Sequence, residues 1–283
     1  MKPIARRFLA LLTMASALSV MPSGAAPKND TVQMFILAGQ SNTEGLGLNT
    51  DLKSPYDKPE PKVQMWMNND KGLEPLAGGF GHVPQWFGSA VTLCHALKTA
   101  LQGKPIVIVK AGYSGANLAA DWNPKTGQWY GVLKEKIEKA TAALTAQGKT
   151  VNLAGMFWIQ GESDTMNKDM AEAYEANLTA FISTVRQDLK SPELPFVFTR
   201  VHEKLGDPES SVHGQGGFNF VPIVRKGQEA VATKVPRTKL VNTDKLSLRL
   251  KPPNYDNLVH YDSEGFLDLG KALAKAYLEL AKK

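Results

Sequence analysis

Three short motifs carry side chains that could do covalent chemistry, and the first of them contains a serine. Residues 39–45 (GQSNTEG) follow directly on an apolar run, so Ser41 is expected in a tight turn at the end of a strand. A serine at such a position can act as a nucleophile, and its own backbone N–H can help to bind an oxyanion. The alternative interpretation is a polar turn, since Ser, Asn and Gly are common turn residues.

The other two motifs could supply groups around that serine. Residues 110–117 (KAGYSGAN) end a second apolar run, and their small residues allow the backbone of Gly115 to approach a ligand closely. A glycine-rich turn without a role is the alternative there. Residues 160–164 (QGESD) end a third run and bring the amide of Gln160 together with two carboxylates, Glu162 and Asp164. The alternative for this motif is an acidic turn that caps the following helix.

A histidine near the end of the chain is a candidate general base. His260 lies within residues 255–265 (YDNLVHYDSEG), flanked by acids and just before a final helix, where a surface or capping role is the alternative. Of the other four histidines, His95 lies in a helical pattern and is assigned to packing. The remaining three lie in irregular stretches and could contact a substrate: His82, His202 and His213.

The elements that must position these motifs alternate between strands and helices. Five short apolar runs are predicted to be strands: residues 32–38, 105–110, 151–159, 195–201 and 239–242. They are apolar on both faces, which is typical of a parallel sheet covered by helices. Helices are predicted at residues 89–101, 131–147, 170–190, 221–233 and 263–282. The alternation predicts an α/β fold, a three-layer α/β/α sandwich with a mostly parallel five-stranded sheet.

The carboxyl edge of that sheet is the expected place of a ligand site. Three long irregular stretches follow strands, residues 46–86, 117–130 and 202–220, and each is too long for a simple connection. We therefore expect them to form the walls of a cleft around the three motifs.

Length and composition restrict the class of protein. The chain has 283 residues, 43% of them hydrophobic, which suffices for one sizeable core. Its ordinary contents of Gly and Pro exclude collagen-like and disordered classes. A single cysteine, Cys94, excludes an intramolecular disulfide and a cysteine-rich metal site. Cys94 lies in a helical apolar pattern and is predicted to be a small buried side chain.

The N-terminus has the pattern of a secretory signal peptide, in which a positive leader precedes an apolar stretch at residues 8–21 and small residues at 23–26. We predict a signal peptide at residues 1–26, a single domain at residues 27–283, and a secreted or periplasmic protein. An uncleaved membrane anchor is the alternative. Loss of three cations from the leader lowers the formal net charge from +6 to +3, which does not support nucleic-acid binding. No later apolar run is long enough for stable membrane insertion.

Together, the motifs resemble the SGNH (GDSL-like) hydrolase superfamily, and most closely its branch of sialate O-acetylesterases and carbohydrate esterases of family six. Residues 39–42 are similar to its nucleophile motif, residues 110–118 to its glycine-containing second block, and residues 160–164 to its Gln-Gly-Glu motif. His260 with residues 263–265 resembles its histidine block. The resemblance spans nearly the whole chain after residue 26, with the four motifs in the right order. It implies the flavodoxin-like fold of that superfamily.

This resemblance implies a serine esterase that needs no metal or organic cofactor. Ser41 is then the nucleophile and His260 the base, because a hydroxyl is a weak nucleophile until an imidazole accepts its proton. The implied oxyanion hole consists of the backbone N–H groups of Ser41 and Gly115 with the side-chain amide of Gln160.

The carboxylate that supports the histidine stays open between two residues. The superfamily usually has an Asp three residues before the histidine, and that position here is Asn257. Asp256 stands one residue further from His260, and Glu162 matches the acid of the Gln-Gly-Glu motif. The resemblance favours Glu162 slightly, because Asp256 would need a shifted loop.

The implied substrate is an acetylated carbohydrate, either an acetylated xylan-type polysaccharide or an O-acetyl sialic acid. Asn117, Arg200 and Trp122 lie near strand ends or in irregular stretches and are the candidate substrate-binding residues. Loop packing is the alternative for Trp122. Two other functions stay open, a lipase or thioesterase of the same superfamily with identical catalytic residues and a catalytically silent carbohydrate-binding protein. No oligomeric state is predicted.

Overall fold

The structure, a computed structural model, describes residues 31–66, 72–207, 217–249 and 258–282. The predicted signal peptide, His213, Asp256 and Asn257 lie outside these residues. In the ranges described, no helix has the length and apolar character needed to cross a membrane.

A seven-stranded sheet forms the centre of the molecule. The strands of the described chain are β1 (Thr31–Gly39), β2 (Gly47–Leu48), β3 (Glu60–Trp66), β4 (Leu73–Leu76), β5 (Trp86–Phe87), β6 (Ile106–Gly112), β7 (Thr150–Ile159), β8 (Phe196–Thr199) and β9 (Thr238–Val241). The order in the large sheet is β4-β3-β6-β1-β7-β8-β9, and β2 pairs with β5 in a separate antiparallel ribbon. The five strands expected from the apolar runs are β1, β6, β7, β8 and β9, and they pair in parallel.

The predicted sheet of five strands is therefore too small by two. β3 and β4 lie within residues 46–86, a stretch that its sequence predicts to be irregular. In β3 only Val63 and Met65 are buried apolar residues, and the polar residues Lys62 and Gln64 interrupt the apolar pattern. β4 is the edge strand itself and tolerates Pro75 there, since the N–H that proline lacks is not needed by a neighbour. β3 is parallel to β6, whereas β4 is antiparallel to β3.

Helices cover both faces of the sheet, which confirms the three-layer architecture. They are α1 (Ser41–Glu44), α2 (Ala90–Ala100), α3 (Gln128–Ala146), α4 (Lys168–Asp188), α5 (Val221–Lys234) and α6 (Ser263–Ala281). Residues of α3, α4 and α5 share one core with Met34 and Ile36 of β1, and residues of α2 and α6 share the other core with Phe35 and Leu37. Alternate side chains of β1 thus enter opposite cores, which explains why residues 34–38 are apolar on both faces. Cys94 in α2 is completely buried, and burial raises the pKa of its thiol.

The three motif-bearing strands are neighbours in the middle of the sheet. β1 lies between β6 and β7, and Gly39 is level with Gly112 on one side and Ile159 on the other. The three motifs therefore leave the sheet side by side at its carboxyl edge, as predicted. Gly39 has a φ of +144°, and a Cβ there would lie 2.0 Å from the carbonyl oxygen of Ile159. Only glycine fits at this strand end, which leads directly into Ser41.

Candidate active site

The hydroxyl of Ser41 and the imidazole of His260 meet at the carboxyl edge of the sheet, although 219 positions separate them in the chain. Ser41 Oγ and His260 Nε2 are 2.7 Å apart, which is a hydrogen-bonding distance. Ser41 is the first residue of α1 and is 6% exposed. Its N–H lies at a helix start, where no carbonyl of the same helix can accept it. The structure thus brings together the two side chains on which the sequence interpretation depends.

His260 extends from an ordered segment just before α6. Its carbonyl oxygen accepts a hydrogen bond from Arg249 N at 2.9 Å, and the next residue, Tyr261, is buried. Asp262 then caps α6 by accepting a backbone N–H of the first helical turn at 2.8 Å. These contacts fix the backbone from which the imidazole reaches Ser41.

Glu162 is buried near the pair. The side chain of Asn42 connects it to the backbone of Val259, the residue before His260. Asn42 Nδ2 donates to Glu162 Oε1 at 2.8 Å and to the carbonyl oxygen of Val259 at 3.1 Å. Burial raises the pKa of Glu162, while the hydrogen bond from Asn42 and the charge of His260 act in the opposite direction. Sequence reasoning assigned no role to Asn42, and its place beside Ser41 in the first motif was the available signal.

Of the two candidate acids, only Glu162 lies within the described residues. Its second oxygen, Oε2, is buried and accepts no hydrogen bond within the part of the chain that the structure describes. The choice between Glu162 and Asp256 stays a prediction.

Gly115 lies in an exposed turn directly after β6. Its φ is +75°, and no atom lies within 4 Å of the position that a Cβ would take. A hydrogen bond from Ala116 N to the carbonyl oxygen of Tyr113, 3.1 Å long, closes the turn. We refer to residues 113–116 as the oxyanion turn, and the contribution of the Gly115 N–H to an oxyanion hole stays a prediction.

Gln160 is placed differently from its predicted role. Its side chain is 1% exposed, and Nε2 donates to Asp164 Oδ2 at 2.6 Å and to the carbonyl oxygen of Ala116 at 3.2 Å. Its Oε1 accepts the hydroxyl of Tyr174 at 3.0 Å. Because both amide hydrogens are used, the predicted oxyanion contact of Gln160 is corrected. The side chain of Gln160 holds the oxyanion turn through the carbonyl oxygen of Ala116 and has no further N–H for an oxyanion.

Asp164, which has no separate role in the sequence analysis, is at the centre of that support. Its carboxylate is completely buried and accepts Leu118 N at 2.8 Å and Ala119 N at 3.2 Å, in addition to Gln160. Burial raises the pKa of Asp164 to about 6, although the three donors act in the opposite direction. We call Gln160, Asp164 and Tyr174 the neutral-donor cluster, and it ties the motif after β7 to the loop after β6.

Two of the predicted substrate-binding residues lie in the loop after β6, Trp122 in the core and Asn117 half-buried. Trp122 is completely buried, with ring centroids 5.1 Å from Trp158 and 6.3 Å from Phe181. Its predicted contact with substrate is wrong, because the indole packs in the core. Asn117 Nδ2 donates to Asp121 Oδ2 at 2.8 Å, and Asn117 Oδ1 accepts a backbone N–H of the same loop at 2.7 Å. The side chain of Asn117 thus shapes its own loop, and its contact with substrate stays a prediction.

Arg200 belongs to a separate group of ion pairs beyond β8. Its guanidinium donates to Glu229 at 2.6 Å and to Asp244 at 2.5 Å, while Arg225 makes two bonds to Asp244 of 2.7 and 3.0 Å. The hydrogen bonds from Arg225, helped by the charges of both arginines, lower the pKa of Asp244 to about 2. We call these four residues the ion-pair cluster. Because carboxylates occupy both terminal nitrogens of Arg200, its predicted contact with substrate is corrected to an ion-pair role.

The remaining described histidines differ in their surroundings. His95 packs edge-on against Tyr56, with ring centroids 5.0 Å apart, as its helical pattern predicts. His202 is buried, and burial lowers its pKa. His82 is exposed and donates to Glu44. Within the described ranges, no group of three or more His, Cys, Asp or Glu side chains is arranged to hold a metal ion.

Comparison with known proteins decides the family. A family model described as "Carbohydrate esterase, sialic acid-specific acetylesterase" matches residues 31–279. The chain belongs to this family. As a carbohydrate esterase the protein is a carboxylic ester hydrolase, and the resemblance to the branch of sialate O-acetylesterases and carbohydrate esterases is confirmed.

Relatives of this carbohydrate esterase match most of the chain. A protein of Arabidopsis thaliana named as a probable carbohydrate esterase is 27% identical over 263 residues, which cover 87% of this chain and 90% of the relative. The solved structure of NanS has a TM-score of 0.70 and 15% identity, and the match covers 90% of this chain and 98% of NanS. A carbohydrate acetylesterase from Xanthomonas citri has a TM-score of 0.62 and 16% identity, covering 88% of this chain and 57% of its own. These two structures share the fold of the carbohydrate esterase described above.

Proposed function

We propose that this carbohydrate esterase is a serine acetylesterase that removes O-acetyl groups from carbohydrate through an acyl-Ser41 intermediate. The observation that carries the proposal is the 2.7 Å distance between Ser41 Oγ and His260 Nε2. The family supports a carbohydrate substrate. The Xanthomonas citri relative, named a carbohydrate acetylesterase, supports acetyl as the acyl group. Acetylated xylan-type polysaccharide and O-acetyl sialic acid are the two proposed substrates.

The proposed reaction consists of two acyl transfers. His260 Nε2 takes the proton of Ser41 Oγ while that oxygen attacks the acetyl carbonyl carbon, and the N–H groups of Ser41 and Gly115 bind the oxyanion. The bond to the sugar oxygen then breaks, His260 gives its proton to that oxygen, and the deacetylated sugar leaves. Water, deprotonated by His260, attacks the acetyl-serine in the same way and releases acetate with Ser41 restored.

Glu162 is the proposed carboxylate partner of His260, with Asp256 as the second candidate. A buried negative charge near the ring would stabilise the imidazolium that forms in each transfer. The charge of His260 lowers the pKa of Glu162, against the effect of burial, which supports this pairing. Comparison of Glu162→Gln with Asp256→Asn separates the candidates, because loss of the true partner lowers kcat by about 10,000-fold. Equal and mild effects of both substitutions would contradict a triad.

The test of the proposed function is acetate release by wild type and Ser41→Ala from acetylated xylan, O-acetyl sialic acid and short-chain lipid esters. Ser41→Ala is expected to lose activity by about 1,000-fold or more. Rapid quenching of wild type should show the added mass of one acetyl group on the peptide that contains Ser41. Equal rates of acetate release by wild type and Ser41→Ala would contradict the esterase and favour a catalytically silent carbohydrate-binding protein. Preference of wild type for lipid esters would favour a lipase.

Export from the cytoplasm is proposed on the pattern of residues 1–26. Intact-mass analysis of secreted or periplasmic material is expected to show a chain that begins near Pro27. Retention of Met1 in that material would contradict cleavage.

A further inference from the structure

The side chain of Glu44 connects the helix of the nucleophile to the oxyanion turn. Glu44 is the last residue of α1, and its Oε2 accepts Ser114 Oγ–H at 2.6 Å and His82 Nδ1–H at 2.7 Å. Ser114 directly precedes Gly115. We propose that Glu44 is a positioning residue that fixes the Gly115 N–H relative to Ser41, acting through Ser114. This inference rests on the proposed acyl-serine mechanism.

The path of the Glu44 side chain depends on the glycine at the end of β6. A Cβ at Gly112 would lie 2.8 Å from Glu44 Cγ and 2.9 Å from Glu44 N, closer than non-bonded carbon atoms pack. α1 therefore lies directly on the end of β6, and the carboxylate reaches past Gly112 to Ser114. A contact between such closely packed elements can define a geometry, because neither element can shift easily.

The backbone of Glu44 is held by a buried lysine. Lys110 is 4% exposed, and its Nζ donates to the carbonyl oxygens of Glu44 and Phe80. Burial lowers the pKa of Lys110 to about 8, while the charge of Glu44 acts in the opposite direction. Both the main chain and the carboxylate of Glu44 are therefore fixed, so the position of Ser114 follows that of α1.

The two neighbours of Gly115 are anchored to different motifs. Ser114 is held by Glu44 after β1, and Ala116 is held by Gln160 after β7. Gly115 itself has a φ of +75° and open space beside it, so its position depends on those neighbours. Removal of the Ser114 anchor frees one side of the turn, and a displacement of about 1 Å in a catalytic group can cost about 100-fold in rate.

Ser114, Glu44 and His82 do not form a second nucleophilic site. The hydroxyl of Ser114 donates to a carboxylate rather than to an imidazole, and the carboxylate also accepts the ring N–H of His82. A serine nucleophile needs a base that takes its proton at neutral pH, and an imidazole suits that task better than a carboxylate. The arrangement fits a structural clamp on the oxyanion turn.

The experiment compares Ser114→Ala and Glu44→Ala with Ser114→Thr, which keeps the hydroxyl. The probes are hydrolysis of 4-nitrophenyl acetate and inhibition by a small boronic acid, which forms a tetrahedral adduct with an active serine and fills the oxyanion position. Ser114→Ala and Glu44→Ala are expected to lower kcat by about 10- to 100-fold with little change in KM, and to weaken the boronic acid by a similar factor. Ser114→Thr is expected to stay within about threefold of wild type.

A double variant and two control variants at exposed residues test whether the loss of activity comes from the contact between Ser114 and Glu44. Glu44→Ala combined with Ser114→Ala is expected to be no slower than Glu44→Ala alone, because both substitutions remove one shared contact. Ser183→Ala on α4 and Glu135→Gln on α3 change exposed residues outside the site and are expected to behave as wild type. Ser114 is exposed, so Ser114→Ala carries the test by itself if Glu44→Ala does not fold.

Two results would overturn the positioning role while the proposed function stands. One is wild-type kcat and boronic acid affinity in Ser114→Ala and Glu44→Ala when Ser41→Ala is inactive. The other is a lower kcat with unchanged boronic acid affinity, because a clamp on the oxyanion turn must affect both. Wild-type hydrolysis by Ser41→Ala would instead remove the proposed function itself.

Discussion

Asp164 and Asp244 each accept several hydrogen bonds beyond the strands of the sheet, yet their pKa values move in opposite directions. Asp164 is completely buried among neutral donors, and burial raises its pKa to about 6. Asp244 is bound by Arg225 and Arg200, and its pKa falls to about 2. The comparison teaches that the number of hydrogen bonds does not decide the preferred charge of a carboxylate. What decides it is the balance between lost water, which is complete for Asp164 and partial for Asp244, and the charge of the surrounding donors.

The two clusters also differ in what they connect. The neutral-donor cluster binds Leu118, Ala119 and the carbonyl oxygen of Ala116, which belong to the loop that carries Gly115. The ion-pair cluster joins Arg200 at the end of β8 to residues of α5 and to the segment after β9. We therefore expect damage to the first cluster to affect both turnover and stability, and damage to the second to affect stability alone.

Among substitutions in the two clusters, Asp164→Ala is expected to have the largest effect. The substitution leaves two backbone N–H groups and the Gln160 amide without their buried acceptor, which costs about 3 kcal/mol in the free energy of unfolding. Release of the loop is also expected to lower kcat by about 100-fold. Urea unfolding and hydrolysis of a small acetyl ester check both effects, with Asp169→Ala on the exposed start of α4 as the matched control. Normal turnover in a destabilised Asp164→Ala would separate this cluster from catalysis.

A smaller effect, confined to stability, is expected for Asp244→Asn. Loss of the charge leaves Arg200 and Arg225 without their shared partner and lowers the free energy of unfolding by about 2 kcal/mol at pH 7. The kcat is expected to stay within about twofold of wild type, because no part of the oxyanion turn depends on this contact. A large fall in kcat for this folded variant would contradict the division between the two clusters.

A smaller effect is expected in the pH dependence of the free energy of unfolding, which should differ between the two carboxylates. The folded pKa of Asp164 is raised, so its stabilising contribution is full below about pH 4 and is lost as the pH rises through about 6. The folded pKa of Asp244 is lowered, so its contribution is present above about pH 4 and is lost as the pH falls through about 2. The difference in unfolding free energy between wild type and Asp164→Ala should therefore be about 1 kcal/mol larger at pH 5 than at pH 7. For Asp244→Asn the same difference should not change over that interval.

The smallest effect is expected for Arg200→Lys on substrate binding. Lysine keeps the charge but cannot bridge Glu229 and Asp244 with two separate nitrogens, so some stability is lost. The KM for acetylated xylan and for O-acetyl sialic acid should stay within about twofold of wild type. A several-fold rise in KM would restore the substrate contact that the sequence predicts for Arg200.

The sequence predicts the parts of the molecule in which local pattern and packing agree. The five apolar runs become neighbouring parallel strands, and their carboxyl ends bring residues 39–45, 110–117 and 160–164 together. β3 escapes prediction because Val63 and Met65, its two buried apolar residues, are separated by a polar one. Trp122, Gln160 and Arg200 are misjudged for a common reason, since other groups of the same protein already bind or pack against their side chains. A sequence shows that a side chain is chemically able to bind a substrate. It does not show that other groups of the same protein already use its hydrogen-bonding or packing capacity.

The burial of Cys94 has a practical consequence for attaching a dye to the protein. It is the only thiol of the chain, and it is completely buried in α2. Because burial also raises its pKa, the folded protein presents no thiolate to a maleimide dye. A cysteine placed at Gly131, an exposed position of α3 where an added Cβ meets no atom within 4 Å, can be labelled alone in the wild-type background.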